Sequence, residues 1–196
     1  QVLAKLRAKG ADMIDAPVFG SKNEAEKGEL GFIVGATPEV LARVQDVLDA
    51  MGRTIHVGGN SLGASAKLVM NLIVACTLEA FNEGLVLATK AGVDPATMLK
   101  IILSSRARAG IIDMKAAPVL QRDFTTFFPL QLMAKDMRLV AETAASLGLE
   151  LPFASAINRV FASGLADGLA EQDFSAMIKV LEKQAGVEVK SNCPLS

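Results

Sequence analysis

Apolar and polar positions alternate over short periods in the first 60 residues. Apolar runs flanked by glycine or charged residues predict short strands at residues 13–18, 30–34 and 53–57. Between the last two strands, Thr37 can cap a helix that begins at Pro38 and ends at Gly52. Strands that alternate with a helix predict an α/β layer.

Two further segments in this part of the chain have local signals. Residues 2–8 have the pattern of a helix that ends at Gly10, a position typical of a left-handed C-terminal residue. Residues 22–28 are charged and polar, which predicts a loop after a turn at Gly20.

A long apolar segment follows at residues 63–92. From Ser65 to Ala91 the chain has no proline for 27 residues, so a helix with a rise of about 1.5 Å per residue can run for roughly 40 Å. Its apolar residues are not confined to one stripe, which predicts a helix surrounded by protein on most sides. We expect this helix to be a central strut between two domains.

Beyond the long helix, every predicted element is helical. Proline and aspartate start signals and glycine stop signals predict helices at residues 95–103, 111–120, 129–148, 152–167 and from 173 or 175 to 186. The predicted architecture is therefore a partial α/β unit at residues 1–62, a connecting helix at 63–92 and an all-helical domain at 93–186. Residues 187–196 are expected to form a mobile tail.

Composition limits the possible partners and compartment. The formal net charge is −1, so no basic or acidic excess points to nucleic acid or to a membrane surface. The cysteines, Cys76 and Cys193, are too few for a disulfide framework, which fits a reducing cytoplasm. Polar residues interrupt the long helix before about 18 uncharged residues have accumulated, so we expect no membrane span.

The long helix carries the first candidate for chemistry. Lys67 and Asn71 stand four residues apart and therefore project from one face of the helix. Burial disfavours a charged ammonium, so Lys67 could exchange protons near neutral pH, and Asn71 could hold that amine or a substrate oxygen. In the alternative interpretation, which spacing alone favours, Lys67 reaches solvent beside an asparagine bonded to a loop.

Two other stretches could contribute to a site. The run from Asp15 to Ser21 is a strand that enters a glycine turn, where backbone amides and the Ser21 hydroxyl can receive a carboxylate. An ordinary strand end is the alternative. Phe128 precedes a helix that carries Lys135 and Asp136, a pair that is usually solvated.

A metal site is not predicted. His56 is the only histidine of the chain and stands at a strand end, and no cysteine or histidine cluster accompanies it.

Taken together and in order, these stretches resemble the β-hydroxyacid dehydrogenases, the group of 3-hydroxyisobutyrate dehydrogenase, tartronate semialdehyde reductase and the glyoxylate/succinic semialdehyde reductases. The matching motifs are Asp-Ala-Pro-Val-x-Gly at residues 15–20, Gly63-x-x-x-Lys67-x-x-x-Asn71, and Phe128 through Lys135-Asp136. The similarity extends to about Lys183. It implies a Rossmann-like α/β unit followed by an all-helical domain similar to the C-terminal domain of 6-phosphogluconate dehydrogenase.

The resemblance also implies an activity. Lys67 would be the general acid/base that exchanges a proton with the substrate oxygen while hydride passes to or from the nicotinamide of NADP or NAD. A proton donor beside the carbonyl would stabilise the alkoxide that develops during reduction. The implied substrate is a short hydroxy acid or aldehyde acid.

The resemblance assigns binding roles to further residues. Gly20 and Ser21 would bind the substrate carboxylate, and Asn71 would orient the substrate. Phe128 and Asp136 would line the pocket, and Lys135 would contact the cofactor.

Three features depart from the family pattern. Phe19 stands where many relatives have serine, which implies one lost carboxylate hydrogen bond and a bulkier or more apolar substrate. Ser61 stands where relatives often carry glycine, a mild change. No G-x-G-x-x-G fingerprint occurs, so we expect a nucleotide-binding portion before Gln1 and weak or no NADPH binding by the 196 residues alone.

Two hypotheses of function follow. In the first, the chain is the C-terminal portion of a truncated reductase, which the retained Lys67, Asn71 and Lys135-Asp136 favour. In the second, it is a catalytically silent domain kept for association, whose long apolar helix and exposed sheet edges form a homodimer or a larger homo-oligomer.

Overall fold

The computed structural model describes residues 2–191, except for the side chain of Lys22. The chain divides into two compact units, Gln1–Met70 and Asn71–Ser196. The division falls inside the longest helix, so that each unit contains part of it. The first unit holds the strands, and the second unit is helical.

The first unit contains a three-stranded sheet in the order β1-β2-β3. Strand β1 (Val18–Phe19) lies antiparallel to β2 (Leu30–Gly35), and β3 (Gly52–Gly58) lies parallel to β2. A short helix, α1 (Val2–Arg7), precedes the sheet, as its pattern predicts. Parallel and antiparallel pairs therefore meet on the central strand β2.

The strand predicted at residues 13–18 is wrong over most of its length. Val18 alone of these residues lies in β1, and Asp15 forms an isolated antiparallel bridge with Gly35. Pro17 has no N–H to donate, although its carbonyl accepts from the Ile33 N–H at 2.9 Å. The proline thus interrupts the ladder that the apolar run suggests.

The loop predicted at residues 22–28 is also wrong. Residues Lys22–Lys27 form a helix, α2, which Ser21 and Glu24 cap reciprocally and which ends at Gly28 with φ of +69°. The sequence Ser-x-x-Glu is the signature of such a capping box. The charged composition of these residues suggested a loop, but the capping contacts at both ends favour a helix.

The helix predicted from Pro38 to Gly52 begins where expected but is interrupted. It is divided into α3 (Pro38–Ala42) and α4 (Gln45–Asp49), because Val44 leaves the helical conformation with φ of −121° and ψ of 1°. The core of this unit consists of buried Phe32, Val34, Ala36 and Leu48.

The long helix is confirmed as α5 (Leu62–Lys90), with 29 residues. By length and composition it could cross a membrane, since the mean hydropathy of its most apolar 18-residue window is 1.5, but 44% of that window is buried inside the protein. The buried positions of α5 include the polar residues Asn71, Glu79 and Asn82. The prediction that protein surrounds this helix on most sides is wrong for part of its surface, because Val69, Ile73 and Leu87 are exposed.

The second unit contains the predicted helices. They are α6 (Pro95–Ser104), α7 (Gly110–Leu120), α8 (Leu130–Ser146), α9 (Pro152–Ala166) and α10 (Ile178–Ala185), which a 3-10 turn (Phe174–Met177) precedes. Helix α8 packs against α9 and against the 3-10 turn. Across residues 71–191 the structure has no strand, so the prediction of an all-helical domain is confirmed.

The predicted mobile tail is wrong for residues 187–191. Val189 is fully buried, and its N–H donates to Glu182 Oε1 at 2.7 Å. The same carboxylate accepts from Arg122 Nη1 at 2.6 Å, so a partly buried ion pair fixes this segment. The remaining residues, 192–196, which include Cys193, lie outside the described residues.

Candidate functional site

The carboxylate of Asp15 caps the beginning of α5 in the first unit. Its Oδ1 accepts from the Ser61 N–H at 2.6 Å, and its Oδ2 accepts from the Ala64 N–H at 2.8 Å. Lys67 follows Ala64 by three residues on the same helix and is half-buried. The structure therefore connects the Asp-Ala-Pro motif to the start of the helix that carries Lys67, a connection that the sequence analysis missed.

Two glycines let this helix start approach the sheet closely. A Cβ at Gly63 would lie 2.5 Å from the Ile33 carbonyl oxygen, and a Cβ at Gly35 would lie 2.5 Å from Asp15 Oδ1. Neither neighbour is the flexible end of a long side chain. Any larger residue at either position would push the helix start away from the sheet.

The turn at Gly20 and Ser21 is occupied by a carboxylate of the chain itself. Glu24 Oε2 accepts from the Ser21 N–H at 2.6 Å and from the Ser21 hydroxyl at 2.5 Å. These hydrogen bonds lower the pKa of Glu24 below its ordinary value. Gly20 has φ of +106°, a conformation that favours glycine. Ser21 thus holds a carboxylate of the chain itself, that of Glu24, and its binding of a substrate carboxylate stays a prediction.

Phe19 packs on the sheet of the first unit. Its ring covers Gly31, where no side chain would fit, and the Arg53 guanidinium lies 5.3 Å from the ring centroid. This cation–π contact gives Phe19 a structural role that the comparison with the family pattern did not indicate.

Three of the residues that the resemblance selected meet in the second unit. Asn71 Nδ2 on α5 donates to Asp136 Oδ2 on α8 at 2.7 Å, and Lys135 Nζ lies 2.9 Å from Asp136 Oδ1. Asn71 and Asp136 are only 4% and 8% exposed, whereas the Lys135 side chain is 48% exposed. Asp136 therefore fixes the orientation of a buried amide, while the neighbouring ammonium stays accessible.

Phe128 is held by its backbone and by its ring. Its N–H donates to Asp173 Oδ2 at 3.2 Å, and its carbonyl accepts from the Phe174 N–H at 3.0 Å. The two rings meet edge to face with centroids 6.3 Å apart. This half-buried side chain consequently has a fixed position at the beginning of α8.

A buried ion pair supports that position. Lys115 Nζ lies 2.7 Å from Asp173 Oδ2, and both side chains are almost fully buried. Burial tends to raise the pKa of Asp173, but the hydrogen bond and charge of Lys115, together with bonds from Ser175, outweigh burial and hold that pKa below its ordinary value. The sequence analysis assigned Asp173 only the start of a helix and did not identify Lys115.

Glu79 and Asn82 form a second buried polar pair on α5. Asn82 Nδ2 donates to Glu79 Oε2 at 3.2 Å, while Glu79 Oε1 and Asn82 Oδ1 are buried without a hydrogen-bond partner. Burial raises the pKa of Glu79 to about 7. This pair lies outside the residues that the resemblance selected.

The described residues contain no group of three or more His, Cys, Asp or Glu side chains that could hold a metal ion. His56 Nε2 instead lies 2.8 Å from the Ala36 carbonyl oxygen.

Family models match nearly the whole chain. Residues 61–181 match the model described as the NAD-binding domain of NADP-dependent 3-hydroxyisobutyrate dehydrogenase, and residues 1–59 match that of the NAD-binding domain of 6-phosphogluconate dehydrogenase. Both descriptions name a nicotinamide dinucleotide as the ligand.

Two curated relatives are named as a dehydrogenase and a reductase. The chain is 38% identical to 2-(hydroxymethyl)glutarate dehydrogenase of Eubacterium barkeri over 95% of its own length and 63% of that relative. It is 33% identical to 2-hydroxy-3-oxopropionate reductase of Escherichia coli over 90% of its length and 61% of that relative. The chain thus spans less than two thirds of each relative.

Solved structures agree with the fold. The 3-hydroxyisobutyrate dehydrogenase of Mycobacterium tuberculosis, solved with L-serine, has a TM-score of 0.84 and 30% identity over 92% of this chain and 64% of that one. A 3-hydroxyisobutyrate dehydrogenase of Salmonella typhimurium has a TM-score of 0.83 and 28% identity, and the match covers 91% of this chain and 64% of that one.

Proposed function

Because the chain belongs to the β-hydroxyacid dehydrogenase family, we propose that it is part of an NAD- or NADP-dependent enzyme that interconverts a short aldehyde or keto acid and its hydroxy acid. The relatives are dehydrogenases and reductases of hydroxy acids. The observation that carries the proposal is the buried Asn71–Asp136 hydrogen bond beside the accessible Lys135 ammonium, a group that lies within the matched family region.

Lys67 is proposed as the general acid/base. A bound nicotinamide would supply hydride to the carbonyl carbon or accept it from the alcohol carbon. During reduction, the Lys67 ammonium would donate a proton to the carbonyl oxygen as negative charge develops there, and during oxidation the neutral amine would take that proton back. The half-burial of Lys67 supports this role, since partial desolvation makes proton exchange by a lysine easier.

Asn71, Asp136 and Phe128 are proposed to bind the substrate. Asp136 fixes the Asn71 amide through the 2.7 Å hydrogen bond, so the amide could orient a substrate without reorganising. Phe128 would offer a fixed apolar surface.

Lys135 is proposed to contact the cofactor. Its ammonium is half exposed and lies 2.9 Å from the Asp136 carboxylate, and the exposed part of its positive charge suits contact with an anionic dinucleotide. The 196 residues contain no G-x-G-x-x-G fingerprint, so these residues would supply only part of a dinucleotide site.

Gly20 and Ser21 are proposed to receive the substrate carboxylate, which would have to displace Glu24 from Ser21. Replacing Glu24 with Gln removes a competing negative charge, so we expect KM for the acid substrate to fall about fivefold with little change in kcat. Steady-state kinetics of the intact enzyme tests this, with Glu26→Gln on the same helix as the matched control. An unchanged or higher KM in Glu24→Gln would contradict the assignment of Ser21.

The proposed reaction can be tested with matched substrates. The intact protein that contains this chain would be assayed for oxidation of NADPH and NADH with succinic semialdehyde and with butanal, which lacks the carboxylate. We expect turnover of the aldehyde acid at least about tenfold more efficient than that of butanal. Equal rates would exclude carboxylate recognition, and no oxidation of either cofactor would contradict the proposed function.

Association with a second copy is the other candidate function, and a groove in the second unit favours it. The groove has a volume of about 470 Å³ and mostly apolar walls. Phe153, which lines it, is 79% exposed, and Gly84 inside α5 has open space where a Cβ would stand. A glycine inside a helix costs about 1 kcal/mol relative to alanine, a cost that close approach of a second chain would offset.

The oligomeric state tests this candidate. We expect light scattering of the 196-residue chain to show a dimer and Phe153→Glu to shift it to monomer, while Phe127→Glu, at another exposed phenylalanine, leaves the mass unchanged. A monomeric wild-type chain at 100 μM would exclude association through this groove.

A further inference from the structure

The carboxylate at the beginning of α5 has a role that the family resemblance did not assign. We propose that Asp15 is a positioning residue for Lys67, which it serves by fixing the first turn of α5 on the sheet. This inference rests on the proposed function of Lys67. It concerns only residues of the first unit.

The hydrogen bonds of Asp15 define the helix start. The first N–H groups of a helix have no partner within the helix. Asp15 Oδ1 takes the Ser61 N–H and Oδ2 takes the Ala64 N–H, at 2.6 and 2.8 Å. Since each oxygen has its own donor, the carboxylate fixes both the direction and the rotation of this first turn.

Asp15 is itself anchored to the sheet. Its N–H donates to the Gly35 carbonyl at 3.0 Å, and its carbonyl accepts from the Gly35 N–H at 2.8 Å. A nearby contact joins the same segments, because Asn60 Nδ2 donates to the Met13 carbonyl at 2.6 Å. A chain of short contacts thus runs from β2 through Asp15 to the first turn of α5.

Gly63 allows this turn to lie directly against the sheet. A Cβ at Gly63 would approach Asp15 Oδ2 to 2.8 Å and the Ile33 carbonyl to 2.5 Å. The space between this turn, Asp15 and β2 is therefore too small for any side chain at position 63. Lys67 follows one turn later, where any rotation of the first turn would displace its side chain.

The charge of Asp15 adds an electrostatic effect. The N-terminal end of a helix is positive, which disfavours a nearby ammonium. A carboxylate at that end counteracts this field and favours the protonated form of Lys67. Removing the carboxylate should therefore lower the pH at which Lys67 loses its proton.

Asp94 provides a matched control within the same chain. Its carboxylate also accepts at a helix start, although from the N-cap position itself: its Oδ2 accepts from the Thr97 N–H at 2.8 Å and from the Thr97 hydroxyl at 2.9 Å. It caps α6, which does not carry Lys67. Asp94→Asn removes a charge and disturbs the N-cap of a helix other than α5.

The experiment titrates Lys67 directly in the 196-residue chain. Lysines are reductively methylated with ¹³C-formaldehyde, and the Lys67 signal is assigned by its loss in Lys67→Arg. We expect Asp15→Asn to lower the titration midpoint of Lys67 by about half a pH unit, about a threefold change in the ratio of its two forms. Asp94→Asn should leave that midpoint within about 0.1 unit.

A second pair of variants covers the case in which Asp15→Asn unfolds the chain. Asp15→Ser and Asp94→Ser remove the same two charges with a smaller side chain, so they repeat the comparison with a second substitution at each position. The inference is overturned if Lys67 titrates unchanged in the folded Asp15 variant, or if the Asp94 variant shifts it equally.

The pH dependence of kcat in the intact enzyme separates this inference from the proposed function. If Asp15→Asn shifts the Lys67 titration and the kcat profile together, both proposals hold. If it shifts the titration while the kcat profile stays in place, Asp15 still acts on Lys67, but Lys67 is not the group whose ionisation limits turnover.

Discussion

Ser61 shows how one residue can carry local strain. Its φ is +76°, in the left-handed region that side chains with a Cβ rarely adopt. The sequence comparison described serine here, in place of a frequent glycine, as a mild change. The structure gives that change a physical cost, because Ser61 must turn the chain so that its N–H reaches Asp15.

Replacing Ser61 with glycine should stabilise the protein. We expect a gain of about 1 kcal/mol in the free energy of unfolding, since glycine adopts this conformation without a steric penalty and keeps the N–H donor. Urea unfolding followed by circular dichroism measures it. Ser65→Gly, one turn later within α5, should instead lose about 0.5 kcal/mol, and a loss at both positions would contradict the strain.

Glu79 makes stability depend on pH. Burial raises its pKa from 4.5 to about 7, so the folded protein favours the protonated carboxyl. The stability that this group contributes is fully present below pH 4.5 and is lost as pH rises through about 7. The whole change amounts to about 3 kcal/mol.

Glu79→Gln should remove this dependence. Glutamine is neutral at every pH, so we expect the variant to match the wild type near pH 4 and to exceed its stability by up to about 3 kcal/mol at pH 8. Urea midpoints across this range test the prediction. Glu83→Gln, at an exposed position on the same helix, is the control and should change the free energy of unfolding by less than about 0.5 kcal/mol. If the stability of wild type and of Glu79→Gln changed with pH in parallel, the account would be contradicted.

At the residue scale, the sequence analysis missed the hydrogen-bond partners of residues that it had selected, both distant and local. Asn71 and Asp136 were both selected, but their hydrogen bond spans 65 residues of sequence, a separation that no local pattern encodes. The partner of Ser21 was only three residues away. That partner could have been found from the Ser-x-x-Glu signature.

At the scale of elements, one buried carboxylate organises the beginning of α8. Asp173 Oδ2 accepts from Lys115 Nζ on α7 and from the N–H groups of Phe127 and Phe128. Its Oδ1 accepts from the Ser175 N–H and hydroxyl. Helix α7, residues 127–128 and the 3-10 turn are therefore joined through the Asp173 carboxylate and the Lys115 ammonium that compensates its charge.

Removing that cation should strongly destabilise the second unit. Lys115→Met leaves Asp173 buried without its opposite charge, so we expect a loss of about 3–5 kcal/mol in the free energy of unfolding. Lys183→Met is the matched control, because Lys183 pairs with Asp167 at an exposed site and should cost less than about 1 kcal/mol. Comparable losses in the two variants, measured by urea unfolding, would contradict a central role for Lys115.

Helices and strands were predicted correctly where the residues that decide their ends lie close together in the sequence. The helices opened by Pro95 and Pro152 begin at the predicted residues, since their start signals lie within the first turn. The strand at residues 13–18 failed because Pro17 and the pairing with β2 decide its extent. The order of residues 187–191 rests on Glu182 and Leu120, which the composition of the tail does not show.

At the scale of the whole molecule, the sequence pattern changes from alternating strands and helices to helices alone. This change predicted an α/β part followed by an all-helical part. The family models divide the chain at nearly the same place, with matches at residues 1–59 and 61–181. Pattern alone did not distinguish a catalytic from a structural lysine at position 67. The combination of three ordered motifs did indicate the family, because each motif constrains a different element.

The proton transfer assigned to Lys67 is the central claim, and single-turnover hydride transfer tests it most directly. In the intact enzyme with bound NADPH and saturating aldehyde acid, the loss of nicotinamide absorbance would be followed for wild type, Lys67→Ala and Lys135→Ala. We expect Lys67→Ala to slow this step by at least about 100-fold while cofactor affinity stays within about twofold. Lys135→Ala is the control and should chiefly weaken cofactor binding. A hydride-transfer rate in Lys67→Ala within about threefold of wild type would contradict the account. A loss of cofactor affinity in Lys67→Ala as large as its loss of rate would contradict it as well.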